Sequence, residues 1–238
     1  RPEVNDKNRI TPSGGGSYDI ILPKFKKLLQ SRGKDKDYYV RGTFTRDNLD
    51  FAEDVLHIAD QGFDSISVEP VVSEPGTSYS LREEDLPRIF AEYERLAEQM
   101  LKRRDFNFFH FNVDLSQGPC VIKRMRGCGA GCEYVAVTPE GDIYPCHQFV
   151  GNLEYRLGNI TDGTFDMSLS DRFSALNIYT REDCKHCWAR FYCSGGCSAS
   201  NLLVNGDIAK PHFVGCEMER KRLECAIAMK AIEACSNS

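Results

Sequence analysis

The sequence predicts an α/β fold over residues 1–117 and an irregular α+β domain with a β-hairpin over residues 118–238. Two observations support this division. Amphipathic helical segments alternate with strand-like segments in the first part. From residue 118 onward, segments shorten and glycine and cysteine become more frequent. The length of 238 residues accommodates one large domain or two modest ones.

The first part contains three predicted helices and two predicted strands. Helices are predicted over 18–32 and 48–61, and strands over 38–45 and 64–70. A third helix is expected to begin at Ser80, because Ser80 and Glu83 have the spacing of a capping box. Helices that alternate with strands in this way predict a parallel sheet or a portion of an α/β barrel.

The second part has two predicted regular features. Segments 133–138 and 142–146 flank the turn sequence Pro139-Glu140-Gly141, which predicts a β-hairpin. Residues 147–211 predict loops, turns and short helices, and residues 217–234 predict a terminal helix.

The composition limits the classes of partner. A net charge of −5 does not indicate a nucleic-acid-binding domain, which is usually strongly basic. No apolar run reaches the ~18 residues of a membrane-spanning helix, and the first residues do not resemble a signal peptide. We therefore expect a cytoplasmic protein that binds neither nucleic acid nor membrane. Most of the eleven cysteines are crowded into the second half, which in a reducing compartment favours metal binding over disulfides.

The spacing of these cysteines indicates metal ligands. In chain order the pattern consists of Cys128, Cys132, Gly141, Cys146, Cys184, Cys187, Cys193, Cys197 and Cys216. Iron–sulfur clusters need several convergent thiolates, and soft sulfur ligands suit iron. Zinc is the alternative, because CxxC pairs also form tetrahedral zinc sites. Cys184 and Cys187 have no second CxxC at zinc-ribbon distance, so the spacing favours iron–sulfur and leaves zinc open.

The pattern resembles the seven-cysteine SPASM domain of radical S-adenosylmethionine (SAM) enzymes, over residues 118–235. This resemblance implies two auxiliary [4Fe–4S] clusters whose ligands interleave along the chain. The implied ligands are Cys128, Cys146 and Cys197 for cluster I, and Cys184, Cys187, Cys193 and Cys216 for cluster II. Cys132 either supplies a fourth ligand to cluster I or leaves an iron open for a substrate thiolate.

The first part resembles the C-terminal portion of a radical SAM barrel. That barrel is itself a partial, TIM-like barrel. The CxxxCxxC motif of the SAM-cleaving cluster is absent from the sequence. The resemblance therefore implies a longer polypeptide that holds a further [4Fe–4S] cluster and uses SAM as a cofactor. Arg41 resembles an arginine that contacts SAM, and Glu69 stands at a strand end where barrel sites form. An ordinary ion pair is the alternative for each of them.

Residues 128–150 and 191–201 look most like maturases of six-cysteine (SCIFF or ranthipeptide) precursor peptides. This implies a radical SAM enzyme that installs thioether cross-links, as in sactipeptides, in a cysteine-rich precursor peptide. The implied electron donor is a protein such as flavodoxin or ferredoxin. Anaerobic sulfatase maturases, which form formylglycine, are one alternative, but they carry a catalytic aspartate where this sequence has His147. His147 adjoins an implied cluster ligand and is a candidate catalytic residue; hydrogen bonding to cluster sulfur or solvent is the alternative for this side chain. A non-catalytic iron–sulfur or peptide-binding module is the other alternative for the function.

Several cysteines and histidines fall outside the pattern. We expect Cys120, Cys225 and Cys235 to be plain thiols, because cysteine is often buried without any function. The sequence shows no partner pattern for the histidines at positions 57, 110 and 212.

Overall fold

The computed structural model describes residues 1–33, 36–115 and 125–236. The predicted boundary between residues 117 and 118, and Cys120, lie outside these residues. The described helices are α1 (Pro2–Asn8), α2 (Tyr18–Ser31), α3 (Phe51–Asp60), α4 (Leu86–Lys102), α5 (Met167–Ala175), α6 (Arg190–Cys193), α7 (Ser198–Asn205) and α8 (Phe213–Ser236). The described strands are β1 (Val40–Phe44), β2 (Ser65–Pro70), β3 (Asn107–Phe108), β4 (Ala136–Val137), β5 (Asp142–Tyr144), β6 (Gly158–Asn159) and β7 (Thr164–Phe165).

The first sheet is parallel, with the strand order β1-β2-β3. Val40 of β1 pairs with Ile66 of β2, and Ser65 of β2 pairs with Asn107 of β3. Helices α3 and α4 connect consecutive strands, which confirms the predicted mixed α/β architecture. Strand β3 was not predicted, because two residues are too few to show an alternating pattern. A partial barrel remains a prediction.

The predicted start of the third helix is wrong. Helix α4 begins at Leu86, after a short 3₁₀ turn over Glu83–Asp85. The hydroxyl of Ser80 donates to the carbonyl of Thr77 at 2.9 Å instead of capping a helix. The carboxylate of Asp85 accepts the Arg82 amide at 3.0 Å, so the capping interaction lies two residues further along the chain than the sequence suggested.

The predicted helix over 48–61 begins three residues late. The side-chain oxygen of Asn48 accepts the backbone amide of Thr45 at 2.8 Å, and this closes a 3₁₀ turn over Arg46–Asn48. Because the Asn48 side chain is used in that turn, α3 begins only at Phe51.

Aromatic packing forms the core behind the first sheet. The Phe44 and Phe51 rings are stacked with centroids 4.3 Å apart, and Phe51 meets the edge of Tyr93 at 4.8 Å. Helix α8 from the second part returns to this core, where its Val214 and Met218 are buried. The two parts of the chain therefore share one hydrophobic core.

The second sheet is antiparallel, with the order β4-β5-β6-β7. Strands β4 and β5 form the predicted hairpin, with Ala136 opposite Tyr144. Gly141 has φ of +87° in the turn, a conformation that glycine adopts without strain. A second core lies beneath this sheet and includes Phe149, Leu157 and Phe173. In the described ranges, no helix has the length and apolar character that crossing a bilayer would require.

Candidate iron–sulfur centres

The ten cysteines of the described residues are all free thiols. Cys146, Cys184 and Cys225 are buried, whereas Cys128, Cys197 and Cys235 are exposed. No pair among the described cysteines forms a disulfide, so these thiols are available to bind a metal.

One group of interacting thiols comes from three separate segments. Burial raises the pKa of the Cys146 thiol, and the nearby Cys197 and Cys128 thiols raise this pKa further. Cys146 follows β5, and Cys197 is the residue before α7. Cys128 lies in the glycine-rich loop that precedes the hairpin. We call Cys128, Cys146 and Cys197 the first thiol group.

A second group lies deeper in the protein. Burial raises the pKa of Cys193 to about 12, with Glu219 and Cys216 adding to the effect. Burial likewise raises the pKa of Cys216 to about 11, and the Cys184 and Cys187 thiols contribute to that increase. We call Cys184, Cys187, Cys193 and Cys216 the second thiol group. Its members come from two short turns, the end of α6 and the first turn of α8.

Two arginines lie beside these thiols. The guanidinium of Arg181 is buried, and it donates to the carbonyl of Ile208 at 2.6 Å and to the hydroxyl of Ser198 at 3.1 Å. Burial lowers the pKa of Arg181, although nearby thiols of both groups, Cys184 first among them, oppose this effect. Arg220 Nη2 lies 3.8 Å from Cys187 Sγ. Such cations offset the negative charge that several thiolates bring together.

A small cavity of about 30 Å³ is lined by the loop around Cys128 and the loop around Ser194. Cys128 and Cys132 both line this cavity, together with Arg181 and Gly196. The Cys132 thiol donates to the Gly129 carbonyl, with Sγ and O 3.4 Å apart. Cys132 thus lies beside a member of the first thiol group, but its role as a fourth ligand stays a prediction.

The donor set fits iron–sulfur chemistry. The buried thiols are soft ligands. Burial disfavours their deprotonation, whereas binding to iron would favour it. Over residues 1–33, 36–115 and 125–236, no three His, Cys, Asp or Glu side chains converge around a position for a single metal ion. A cuboidal cluster holds its thiolates farther apart than a single metal ion does, so a site for a cluster need not have the ligand spacing of a single-ion site. The assignment of ligands to clusters remains a prediction.

The predicted SAM-contacting residues meet at the first sheet. Arg41 Nη2 and Glu69 Oε1 are 3.4 Å apart, on neighbouring strands β1 and β2. Burial acts to raise the pKa of Glu69, but interactions with His110, the Ser67 hydroxyl and Arg222 outweigh it and lower the pKa to about 2. Glu69 is therefore ionised near neutral pH. A role in SAM binding remains a prediction for both residues.

His147 lies in the 3₁₀ turn His147–Phe149 that follows Cys146. Its side chain is exposed, whereas Cys146 is buried. His147 is thus adjacent in the chain to a member of the first thiol group. Its catalytic role remains a prediction.

Sequence reasoning missed the partners of three histidines. His57 Nε2 is 2.6 Å from the Tyr18 hydroxyl, and His212 Nδ1 is 3.0 Å from the Ser200 hydroxyl. His110 lies between Glu69 and Arg222, its Nδ1 atom 2.9 Å from Arg222 Nη1. Because His110 and Arg222 are 112 residues apart in the chain, no local sequence signal reveals their contact.

Comparison with known proteins gives an independent view of the second part. Residues 128–188 match the family model SPASM, an iron–sulfur cluster-binding domain. This match includes members of both thiol groups, such as Cys146 and Cys184, and ends before Cys193. An uncharacterized protein of Archaeoglobus fulgidus is 31% identical over 109 residues, which cover 44% of this chain and 24% of that protein. The chain thus spans about a quarter of this relative.

Solved structures provide the comparison for the whole fold. Native anSMEcpe with bound AdoMet and the Kp18Cys peptide superposes with a TM-score of 0.65 at 19% identity, covering 100% of this chain and 67% of that one. Native anSMEcpe with bound AdoMet gives a TM-score of 0.67 at 18% identity, covering 100% and 66% respectively. At this identity the likeness establishes the fold. The chain is thus similar in fold to anSMEcpe and contains a region similar to SPASM iron–sulfur domains.

Proposed function

We propose that this chain belongs to a radical SAM enzyme that forms thioether cross-links in a cysteine-rich precursor peptide. The observation that carries the proposal is the proximity of thiols from separate segments, Cys146 to Cys197 and Cys128, and Cys216 to Cys184, Cys187 and Cys193. The SPASM match over residues 128–188 supports the iron–sulfur part of the proposal. The likeness to a structure that holds AdoMet and a peptide supports the substrate class.

The proposed division of labour follows from the residues. The first thiol group would hold auxiliary cluster I and the second would hold auxiliary cluster II, while Arg181 and Arg220 offset their negative charge. Arg41 and Glu69 would bind SAM at the edge of the first sheet. When bound, SAM and the clusters would supply hydrogen-atom abstraction and one-electron transfer.

The reaction requires an oxidation of the peptide. Joining a cysteine sulfur to a carbon removes one hydrogen from each atom, so two protons and two electrons leave for every thioether formed: one hydrogen atom would go to the radical derived from SAM, one electron to an auxiliary cluster and one proton to solvent. The protein must therefore hold the peptide thiol and the acceptor C–H bond at one place. If cluster I has an open iron, the exposed positions of Cys128 and Cys197 give a peptide thiol access to it. If Cys132 closes that cluster, the thiol must bind elsewhere.

Sulfatase maturation is the second candidate function. The fold likeness to anSMEcpe favours it, whereas His147, in the place where those maturases carry an aspartate, disfavours it. His147 would then be the group to act as a base toward a substrate. A non-catalytic iron–sulfur module is the remaining candidate.

The decisive experiment incubates the full-length polypeptide anaerobically with reductant, SAM and a cysteine-rich peptide, followed by mass spectrometry. The proposal predicts loss of two hydrogens per linkage with sulfur retained. Conversion of cysteine to formylglycine would move the assignment to sulfatase maturation. An unmodified peptide, with an iron-loaded protein that does not cleave SAM, would identify a non-catalytic module. A colourless protein with stoichiometric zinc would overturn all three iron–sulfur functions.

A further inference from the structure

A chain of polar side chains links the terminal helix to the first sheet. Arg222 of α8 contacts His110, and His110 contacts Glu69 at the end of β2. We call these three residues the Glu69–His110–Arg222 chain. Arg222 and His110 are mostly buried, with side chains only 12% and 10% exposed. Arg222 also pairs with Glu219 on its own helix, so its charge is compensated.

The hydrogen-bonding chemistry of arginine fixes the tautomer of a neutral His110 ring. A guanidinium has five donors and no acceptor, so His110 Nδ1 must accept the hydrogen bond from Arg222 Nη1 at 2.9 Å. The ring proton of neutral His110 is therefore on Nε2. That atom is buried and lies 3.2 Å from Glu69 Oε2, but it makes no well-aligned hydrogen bond within the described residues, so Arg222 fixes the ring in close contact with the carboxylate.

Glu69 is held on its other side as well. The Ser67 hydroxyl donates to Glu69 Oε1 at 2.9 Å, and Arg41 Nη2 lies 3.4 Å from the same oxygen. The Glu69 side chain is still 29% exposed. An ionised carboxylate with one hydrogen-bonded oxygen, the other oxygen in contact with His110, and access to solvent can accept hydrogen bonds from a ligand with little further ordering.

We propose that His110 and Arg222 are positioning residues that hold Glu69 in the orientation needed to bind SAM. This inference rests on the proposed function. SAM offers hydrogen-bond donors of the kind that a carboxylate accepts, namely its ammonium group and its ribose hydroxyls. Through the Glu69–His110–Arg222 chain, helix α8 sets the affinity of the sheet edge for SAM. Arg222 itself does not touch the ligand.

Arg222 and a member of the second thiol group share helix α8. Arg222 lies on α8, six residues after Cys216, and its charge interacts with both Glu69 and Cys193. If this contact only attached α8, apolar side chains would do so equally well, because burying charges costs desolvation energy. The polar chain instead gives a defined orientation to a carboxylate at a strand end.

The test measures SAM affinity of the full-length protein by anaerobic equilibrium dialysis with labelled SAM. The variants are Arg222→Met, His110→Leu and His110→Gln, together with the double variant of the first two. Glutamine at position 110 can accept from Arg222 and donate to Glu69, so it should retain the function. Lys221→Met is the matched control, because it also removes a cation from α8. Lys221 pairs with Glu94 and not with the Glu69–His110–Arg222 chain. Iron content and circular dichroism verify that each variant is folded.

We expect Arg222→Met and His110→Leu each to weaken SAM binding about tenfold, as loss of a hydrogen bond to a charged group does. His110→Gln should bind within about twofold of the wild type, and Lys221→Met should bind equally well. The double variant should be no weaker than either single variant, because both act through Glu69. If Arg222→Met does not fold, the two His110 variants decide the outcome.

Two kinds of failure are distinguishable. A wild-type protein that binds SAM, with a folded His110→Leu variant that binds it equally well, overturns the positioning role alone. The same conclusion follows if Lys221→Met is as damaging as Arg222→Met, or if the two defects add in the double variant. A full-length wild-type protein that binds no SAM overturns the proposed function itself and this inference with it.

Discussion

The backbone amide of Gly127 donates a 3.0 Å hydrogen bond to the carbonyl of Ser194. This bond joins the loop that carries Cys128 to the loop that carries Cys197, so two members of the first thiol group are brought together by main-chain contacts. Ser194 has φ of +61°, an uncommon conformation for a residue other than glycine. The glycines that follow it allow the chain to turn tightly toward Cys197.

The two thiol groups should lose iron independently. We expect Cys197→Ser to lose the iron of one cluster and Cys193→Ser the iron of the other, although the two cysteines are four residues apart. Each variant should retain about half of the iron of the wild-type protein after anaerobic reconstitution. Cys235→Ser, which changes an exposed thiol outside both groups, is the control and should retain all of it. Equal iron loss in Cys193→Ser and Cys235→Ser would contradict the ligand sets.

Gly131→Ala should destabilise the second core. Gly131 has φ of +83°, and a Cβ atom there would lie 2.7 Å from the Phe173 ring. Gly151→Ala is the matched control, because Gly151 has φ of +90° and a Cβ atom there would meet no atom of the described residues within 4 Å. Both variants incur a backbone cost of about 1 kcal/mol, and only Gly131→Ala adds a clash. Urea unfolding should show the larger loss for Gly131→Ala, and equal losses would contradict this packing.

Tyr93→Phe should leave stability unchanged or increase it. The Tyr93 side chain is fully buried, and its hydroxyl has no hydrogen-bond partner within the described part of the chain. Burial raises the pKa of Tyr93 to about 12, so the hydroxyl is neutral at working pH. Removing an unsatisfied buried hydroxyl relieves a desolvation cost of about 1–3 kcal/mol at most. A loss of more than about 1 kcal/mol in urea unfolding would reveal a hydrogen bond that this packing does not contain.

Glu69 should make stability depend on pH in the acid range. Its pKa falls from 4.5 to about 2 on folding, so the folded state favours the ionised form. The resulting stabilisation is present above pH 4.5 and is lost as the pH falls toward 2; its upper limit is about 3 kcal/mol. Glu69→Gln should therefore be less stable than wild type at pH 6, and the difference should shrink by pH 3. A difference that stays constant over this range would contradict the lowered pKa.

The sequence by itself determined the local features of this protein. Helical periodicity predicted α3 and α4, the turn at Gly141 predicted the hairpin, and cysteine spacing indicated metal ligands. Each of these signals lies within a short stretch of chain, where side-chain period and turn chemistry depend on neighbouring residues. The helix starts were misplaced because Asn48 and Asp85 take part in turns whose geometry the periodic pattern does not contain.

Only the tertiary structure decided which distant residues meet. The bond between Gly127 and Ser194, the return of α8 to the first core and the contact of His110 with Arg222 join residues that are far apart in the chain. Such contacts are set by how whole elements pack, and no periodicity within one element encodes them. For this reason the cysteines could be recognised in the sequence, whereas the polar chain that ends at Glu69 could be recognised only in the folded protein.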